Sequence, residues 1–394
     1  TRAFEMAHRL VQHGHSVTML AEIPNHPSGI IPPEYRGKLI ERSCLQGIDV
    51  IRIWVFASPH KTTFTRLAFY LTYMINAFLA GLLIAPGRYD LVYASSPPLF
   101  VALAGWALGF LRRIPFFFEV RDLWPAVAAS LGELRSPGLF RLAEKLELFL
   151  YRRATEIVVV TRGFQDNLVA RSVLPAKIHL IPNGTDPVLF NPGRSDPQLR
   201  EKLGLGGRFV VGYTGLHGIA QGLDIVLAAA DLLRLQTDIA FLFVGDGPAK
   251  RHLLALSRQL GLENIVFHDA VPRERITLYM NACDALLAPL KADEIFASFI
   301  PSKVFDYMAC EKPVLLSVPG EARLLLESAG AGWFVPPGDS VALAEAILRL
   351  RDLPVADRQE IGRRGRQLVL EKFSRAAQAD ELERLLTTSL SKLG

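Results

Sequence analysis

Residues 209–233, FVVGYTGLHGIAQGLDIVLAAADLL, decide how the second half of the chain is read. The apolar run 209–214 predicts a β-strand, a loop carrying Gly215, Gly218 and Gly222 follows, and an apolar helix is expected to begin near Leu223. Glycines let backbone N–H groups crowd toward a ligand, and a helix N-terminus adds partial positive charge. His217 and Gln221 offer further donors. The unit reads as a phosphate cradle, although strand, glycine loop and helix also recur in α/β proteins that bind no phosphate.

Outward from this unit, strand-like runs alternate with helical patterns along most of the chain. The candidates are 17–20, 50–55, 90–94, 115–120 and 156–161 in the first half, then 240–245, 265–268, 285–288 and 314–318. Such alternation predicts an α/β fold of two doubly wound, Rossmann-like parallel-sheet domains facing across a cleft, with ligands at the carboxyl ends of the strands. Residues 181–197, IPNGTDPVLFNPGRSDP, read as the linker. The expected domains are 1–185 and 186–370. Residues 363–390 form one charged helical pattern with Leu368, Leu382, Leu385 and Leu386 as apolar members. The part from 371 to 394 either closes the second domain or packs back on the first. The opening TRAFEMAHRLVQHGHSVTML starts with a helix rather than a strand and lacks a signal-peptide pattern, so a preceding strand and loop are expected.

At 394 residues, half of them hydrophobic, the chain can bury two cores. Its net charge of +5 comes from 44 basic and 39 acidic residues without a Lys/Arg block, which argues against nucleic acid. Cys44, Cys283 and Cys310 have no metal-ligand spacing and read as reduced, buried thiols of a cytoplasmic protein. Residues 67–87 and 91–111 carry no charge over 21 residues each. A span would break the sheet, which leaves buried helices, a dimer face, or helices lying on an anionic membrane surface. The flanking Lys61, Arg66, Arg112, Arg113, Arg152 and Arg153 favour the last.

Two further segments carry chemistry. In 296–317, FASFIPSKVFDYMACEKPVLLS, Ser302 reads as an N-cap, with Lys303 in the first helical turn and Asp306 on the same face. A lysine there opposes the helix dipole unless an anion sits nearby; the alternative is an i,i+3 surface pair with Asp306. In 241–253, FLFVGDGPAKRHL, a turn at Gly245 and Asp246 follows a strand. Asp246 is either a ligand contact or a turn residue. In the first domain, EVRDLWP (119–125) places Glu119, Arg121 and Asp122 after a buried strand, pointing toward the cleft. Asp122 is the candidate for positioning an acceptor hydroxyl or the donor sugar; otherwise it caps a helix or pairs with Arg121.

The order IPNGTD, GYTGLHGIAQGLD, VGDGP, VFHDAVP, IPSKVFDYMA, KPVL and GWFVPPGD resembles the GT-B retaining glycosyltransferases of family 4, and within them the bacterial surface-polysaccharide enzymes that include a fucosamine transferase. The first-domain segments 1–20 and 116–132 extend the resemblance over nearly the whole chain. It implies a nucleotide-sugar donor, a UDP-sugar, bound in the second domain, a polyprenyl-diphosphate-linked acceptor in the first, no metal cofactor, and a peripheral location on the inner face of the cytoplasmic membrane. By the same resemblance, Gly215–Gly222 face the donor phosphates and Lys303 neutralises them. Asp306 holds the ribose hydroxyls, and backbone groups at Ala270 and Val271 border the base. Two departures stand out. Ser298 replaces the first acid of the family's pair, with Asp293 and Glu294 as substitutes only if their loop folds inward, and the cations usual after the glycine loop are missing, with Gln221 near their place. The competing functions are a sugar-nucleotide epimerase or hydrolase on the same fold and a non-catalytic scaffold.

Overall fold

A computed structural model describes residues 2–26, 28–60, 62–85, 87–134 and 136–393. It divides into two compact units, unit 1 being Thr1–Pro182 with Gln378–Gly394 and unit 2 being Asn183–Ala377.

Among its described residues unit 1 holds the strands β1 (Thr18–Glu22), β2 (Ile40–Leu45), β3 (Ile48–Ile53), β4 (Val92–Ser96), β5 (Phe116–Val120), β6 (Glu156–Val159) and β7 (Ile178–Leu180). They pair as a three-stranded group, β1-β3-β2, and a four-stranded parallel group, β4-β5-β6-β7. β2 runs antiparallel to β3. The hairpin turns at Gln46 and Gly47, both with positive φ, as a two-residue connection between twisted strands requires. The sequence reading missed β2, because its polar residues stand on an exposed edge and carry no apolar alternation.

The apolar helix Thr63–Leu83 packs Ala77 and Ala80 against Ile51 and Ile53. Its other face leaves Phe64, Leu67, Ile75, Leu79 and Leu83 exposed, so it is not a buried core helix. The second apolar segment resolves into β4 and the helix Leu99–Arg112.

Unit 2 carries β8 (Phe209–Thr214), β9 (Ile239–Val244), β10 (Ile265–His268), β11 (Ala285–Pro289), β12 (Val314–Ser317) and β13 (Gly332–Phe334). They form one sheet in the order β10-β9-β8-β11-β12-β13, with every neighbouring pair parallel. Alternate residues enter different cores. Val210, Leu242, Leu286 and Leu316 face one cluster, while Phe209, Val211, Phe241, Leu287 and Leu315 face the other. Burial on both faces is why these strands read as unbroken apolar runs. Gly212 is required inside β8, since a Cβ there would stand 2.3 Å from Cys283 Sγ. Cys283 and Cys310 are buried as expected, whereas Cys44 is exposed.

Three expectations about organisation need correction. The stretch 181–197 is no loose linker: from Asn183 it belongs to unit 2, with Thr185 and Phe190 buried. The single C-terminal helix is two, Val355–Lys372 and Arg375–Leu393. They part at 373–374 because the backbone there bonds Thr185, whose N–H donates to Phe373 O at 2.9 Å and whose carbonyl accepts from Arg375 N–H at 2.7 Å. Beyond that break, Ala379, Leu382 and Leu386 pack with Met6, Phe117, Val158 and Ile181 in unit 1.

The third concerns Glu119, expected to meet an acceptor. It is buried in β5, where Arg2 Nε bonds its carboxylate at 2.7 Å while the same guanidinium donates to Ile181 O and Pro182 O. Strand alternation turned this acid inward, and only the fold could supply its partner. Removing one member of a buried pair strands the other charge, typically at about 3–5 kcal/mol. Glu119→Ala should therefore destabilise unit 1 by about that amount in denaturant titrations; a loss below about 1 kcal/mol would show that the pair is dispensable.

Candidate functional site

In a doubly wound sheet the crevice for ligands opens where the strand order reverses, here between β8 and β11. The segments leaving those two strands are the glycine loop and the approach to the helix Lys303–Ala309. The helix after the loop starts at Asp224, with Leu223 as its N-cap residue, one position from the expected start.

The loop is clasped by the turn after β9. His217 N–H donates to Asp246 O at 2.8 Å, and Ala249 N–H donates to His217 O at 2.9 Å. Gly245 must lack a side chain because a Cβ would lie 1.9 Å from Gly215 O. Asp246 takes its turn role: its carboxylate accepts from Gly247 N–H at 2.7 Å. Lys250 buttresses the turn from behind, donating to Gly245 O and to Asp269.

This clasp corrects which N–H groups the loop can offer. Those of Gly215, His217 and Gly222 are consumed by Val244 O, Asp246 O and Ile219 O. The glycines at 215 and 222 serve the path of the chain, at φ 117° and 56°, rather than donation to a ligand. The Leu216 and Gly218 N–H groups between them have no such internal bond.

Lys303 closes the site. Its Nζ is buried, has no hydrogen-bond partner among the described residues, and sits 3.7 Å from the Tyr213 ring centroid, beside Gly215. Burial pulls the ammonium down to about 7, against the opposing pull of Asp306. The helix bearing it is tied to β8 by the buried Tyr307 hydroxyl, which accepts from Thr214 N–H at 3.1 Å and donates to Thr214 O at 3.2 Å. The His217 ring is fully buried, with neither nitrogen bonded. Burial, then Lys250 and Lys303, hold its pKa near 4, so it is neutral at neutral pH. A buried cation and a buried imidazole without partners are costly unless a ligand completes them.

Other sequence candidates fare differently. Ser302 is exposed and αR, and its side chain caps nothing. Asp306 accepts a hydrogen bond from Thr185 Oγ1, a partner that lies 121 residues away. Gln221 lies against Gly218, with its Oε1 buried and unbonded. Ala270 is exposed after β10, and Val271 packs on a core cluster. Asp293 caps a short 3₁₀ turn by accepting from Ile295 N–H, and Glu294 is exposed. Ser298 bonds Ile295 O.

Sequence reasoning overlooked Tyr213, Tyr307, Thr185 and Lys250, which orient the site without a motif of their own. It also overlooked Lys291, whose N–H bonds Ala220 O and whose Cγ would lie 3.1 Å from a Cβ at Gly222. That lysine braces the loop from a different strand end through its backbone and the base of its side chain.

In unit 1, burial raises the Asp122 carboxyl to about 6 despite the nearby Arg121, whose Nε is buried and unbonded. Asp122 is not a helix cap, because Pro125 occupies the N-cap position of Ala126–Ser130 without a side-chain bond.

Residues 1–184 match the glycosyl transferase 4-like domain, and residues 208–352 match the glycosyl transferases group 1 domain. A probable glycosyltransferase of Pseudomonas aeruginosa, WbjE, is 26% identical over 295 residues, covering 73% of this chain and 72% of WbjE. WcaI of Escherichia coli strain K12, a glycosyl transferase provisionally named for colanic acid biosynthesis, is 23% identical over 318 residues, covering 77% and 76%. Among solved structures, Anabaena Alr3699/HepE in complex with UDP-glucose superposes with a TM-score of 0.69 at 21% identity, covering 87% of each chain. Two Rossmann-like units and two matching domains in order leave one assignment: the chain belongs to the GT-B glycosyltransferases of the family 4 type.

Proposed function

We propose that the chain transfers a sugar, of the N-acetylated amino or deoxy class, from a UDP-sugar to a polyprenyl-diphosphate-linked saccharide during bacterial surface-polysaccharide synthesis, with retention at the anomeric carbon. The observation that carries this reading is the buried, unpartnered Nζ of Lys303 beside the glycine loop at the sheet's switch point. The UDP-glucose bound by the HepE neighbour and the colanic acid name of WcaI support the donor and the pathway class.

In this reading the bond between the anomeric carbon and the diphosphate oxygen breaks as the acceptor oxygen bonds the same face of that carbon. The acceptor's proton passes to the departing phosphate. Negative charge grows on the diphosphate, and in this reading Lys303, the Leu216 and Gly218 N–H groups and the neutral His217 imidazole stabilise it. No metal is needed for that charge. Asp306 and Thr185 hold the ribose hydroxyls, Ala270 and Val271 border the base, and Asp122 with Arg121 orients the acceptor hydroxyl. The exposed face of Thr63–Leu83, with Phe110, Leu111, Leu139 and Leu142, lies on the anionic inner face of the cytoplasmic membrane. Of the flanking cations, Arg66 pairs with Glu133 and Arg112 bonds Gly81 O, which leaves the exposed Arg113, Arg152 and Arg153 for lipid headgroups. Lys61 lies outside the described residues.

An anion raises the Lys303 pKa above its free value near 7, so binding takes up a proton above that pH. UDP affinity should be flat below pH 7 and weaken by up to about tenfold per unit above it. Lys303→Met should weaken UDP by roughly thirtyfold at pH 6, the worth of a charged hydrogen bond of about 2 kcal/mol, and abolish that slope. Calorimetry from pH 6 to 9 decides this, and equal affinity in both proteins removes Lys303 from the site.

Asp122→Asn should lower turnover at least tenfold while UDP affinity stays unchanged, because Asp122 lies in unit 1 and the diphosphate groups in unit 2. Unaltered kcat would sink its role. The protein should float with vesicles containing anionic phospholipid, and Leu67→Glu with Ile75→Glu should abolish that; a wild-type protein left in the pellet, or a dimer buried through this face, rejects membrane docking.

A further inference from the structure

Unit 1 gathers a group of half-buried polar side chains at the carboxyl end of β1 that no motif marks in the sequence. Along β1, Leu20 packs with Tyr73, Ala77 and Ala80 of the helix Thr63–Leu83, while Met19 and Ala21 join the cluster of Ala7 and Val11. Strand alternation therefore turns Glu22, two residues beyond Leu20, toward the helix Thr63–Leu83. The register of that helix is fixed by Tyr73, whose hydroxyl donates to Leu20 O at 3.0 Å, and by Asn76, which donates to Trp54 O at 2.8 Å. The helix carries the chain back from the end of β3, which is parallel to β1, so its first turns stand at the carboxyl ends of these strands. Tyr70, one turn before Tyr73, is thereby set beside Glu22.

Both groups have hydrogen-bonding capacity to spare. Glu22 accepts only a long bond from Asn25 Nδ2 at 3.3 Å, no cation acts on it, and burial raises its pKa. The Tyr70 hydroxyl has no hydrogen-bond partner among the described residues. Burial raises this phenol, Arg66 draws it down, and Glu133 and Glu22 push it up. Arg66 is itself paired with Glu133 at 2.7 Å. Phe100, in the first turn of the helix after β4, stacks on the Tyr70 ring with centroids 6.1 Å apart.

We propose that Glu22 and Tyr70 bind the terminal sugar of the acceptor and select a neutral, hydroxyl-rich ring, an inference that rests on the transfer reaction proposed above. A carboxylate accepts from two neighbouring hydroxyls, and a phenol both donates and accepts. The Tyr70 and Phe100 rings offer an apolar surface to the C–H face of the sugar. The charge of Glu22, without a cation to offset it, repels a sugar that carries a carboxylate of its own. Asp122, beyond the end of β5, then orients the reacting hydroxyl, while Glu22 and Tyr70 determine which ring presents it.

The test titrates farnesyl diphosphate, bare and linked to N-acetylglucosamine, galactose or glucuronic acid, into the UDP-saturated full chain. At least one neutral sugar should tighten binding about tenfold over the bare lipid, and glucuronic acid should not. Glu22→Gln and Tyr70→Phe should each remove most of that gain while affinity for UDP and for the bare lipid stays unchanged, and Glu22→Gln should admit the glucuronic acid lipid. The unchanged UDP affinity reports that both variants fold. A wild-type protein that binds UDP yet prefers neither neutral sugar to the bare lipid, or variants that keep the wild-type preference, overturn the proposal alone. A wild-type protein that does not bind UDP removes the transfer reaction and this inference with it.

Discussion

A parallel strand buried on both faces can place polar groups only at its ends, and β8 is such a strand from Phe209 to Thr214. The arrangement of the candidate site follows from that constraint. The apolar side chains of β8 fill two cores, and the chain becomes polar as it leaves the sheet at Gly215. The neighbouring strand ends then supply the clasp: Asp246 after β9 and Lys291 after β11 hold the loop by its backbone. The Tyr307 hydroxyl on Thr214 sets the distance between the loop and the helix that carries Lys303.

The same burial creates the chemistry. A lysine ammonium in water needs no partner, but one shut between an aromatic ring and a glycine loop loses hydration and is held near neutrality. His217 is forced into its neutral form by the same enclosure and by the two lysines facing it. On the function proposed above, a diphosphate would restore to these groups what burial removes, which would favour an anion.

Unit 1 uses buried charge differently. The Arg2 and Glu119 pair is complete within the protein and has nothing left for a ligand, whereas Asp122, three residues on, keeps a raised pKa without a complementary partner of that quality. Both acids sit in one short motif and look alike in sequence. Their environments separate them: one acid is neutralised within the fold, and burial raises the other.

Local pattern alone determined the β/α alternation, because strand and helix periods are set by nearest neighbours. Within the motifs it singled out the Gly215–Gly222 loop, Lys303 and Asp306 as candidates, since unusual residues at strand and helix ends stand out against apolar runs. The resemblance of their order to a known family carried the rest of the early reading. Tertiary structure decided what needs a partner far along the chain. Thr185 meets Asp306, Arg2 neutralises Glu119, and the break at Phe373 is imposed by Thr185, none of which leaves a trace in local spacing. The edge strand β2 was illegible for a related reason: its exposed residues obey solvent rather than a core. Which loop N–H groups remain for a ligand was likewise settled by carbonyls on other segments, because a backbone donor is spent or spare only once the chain has folded around it.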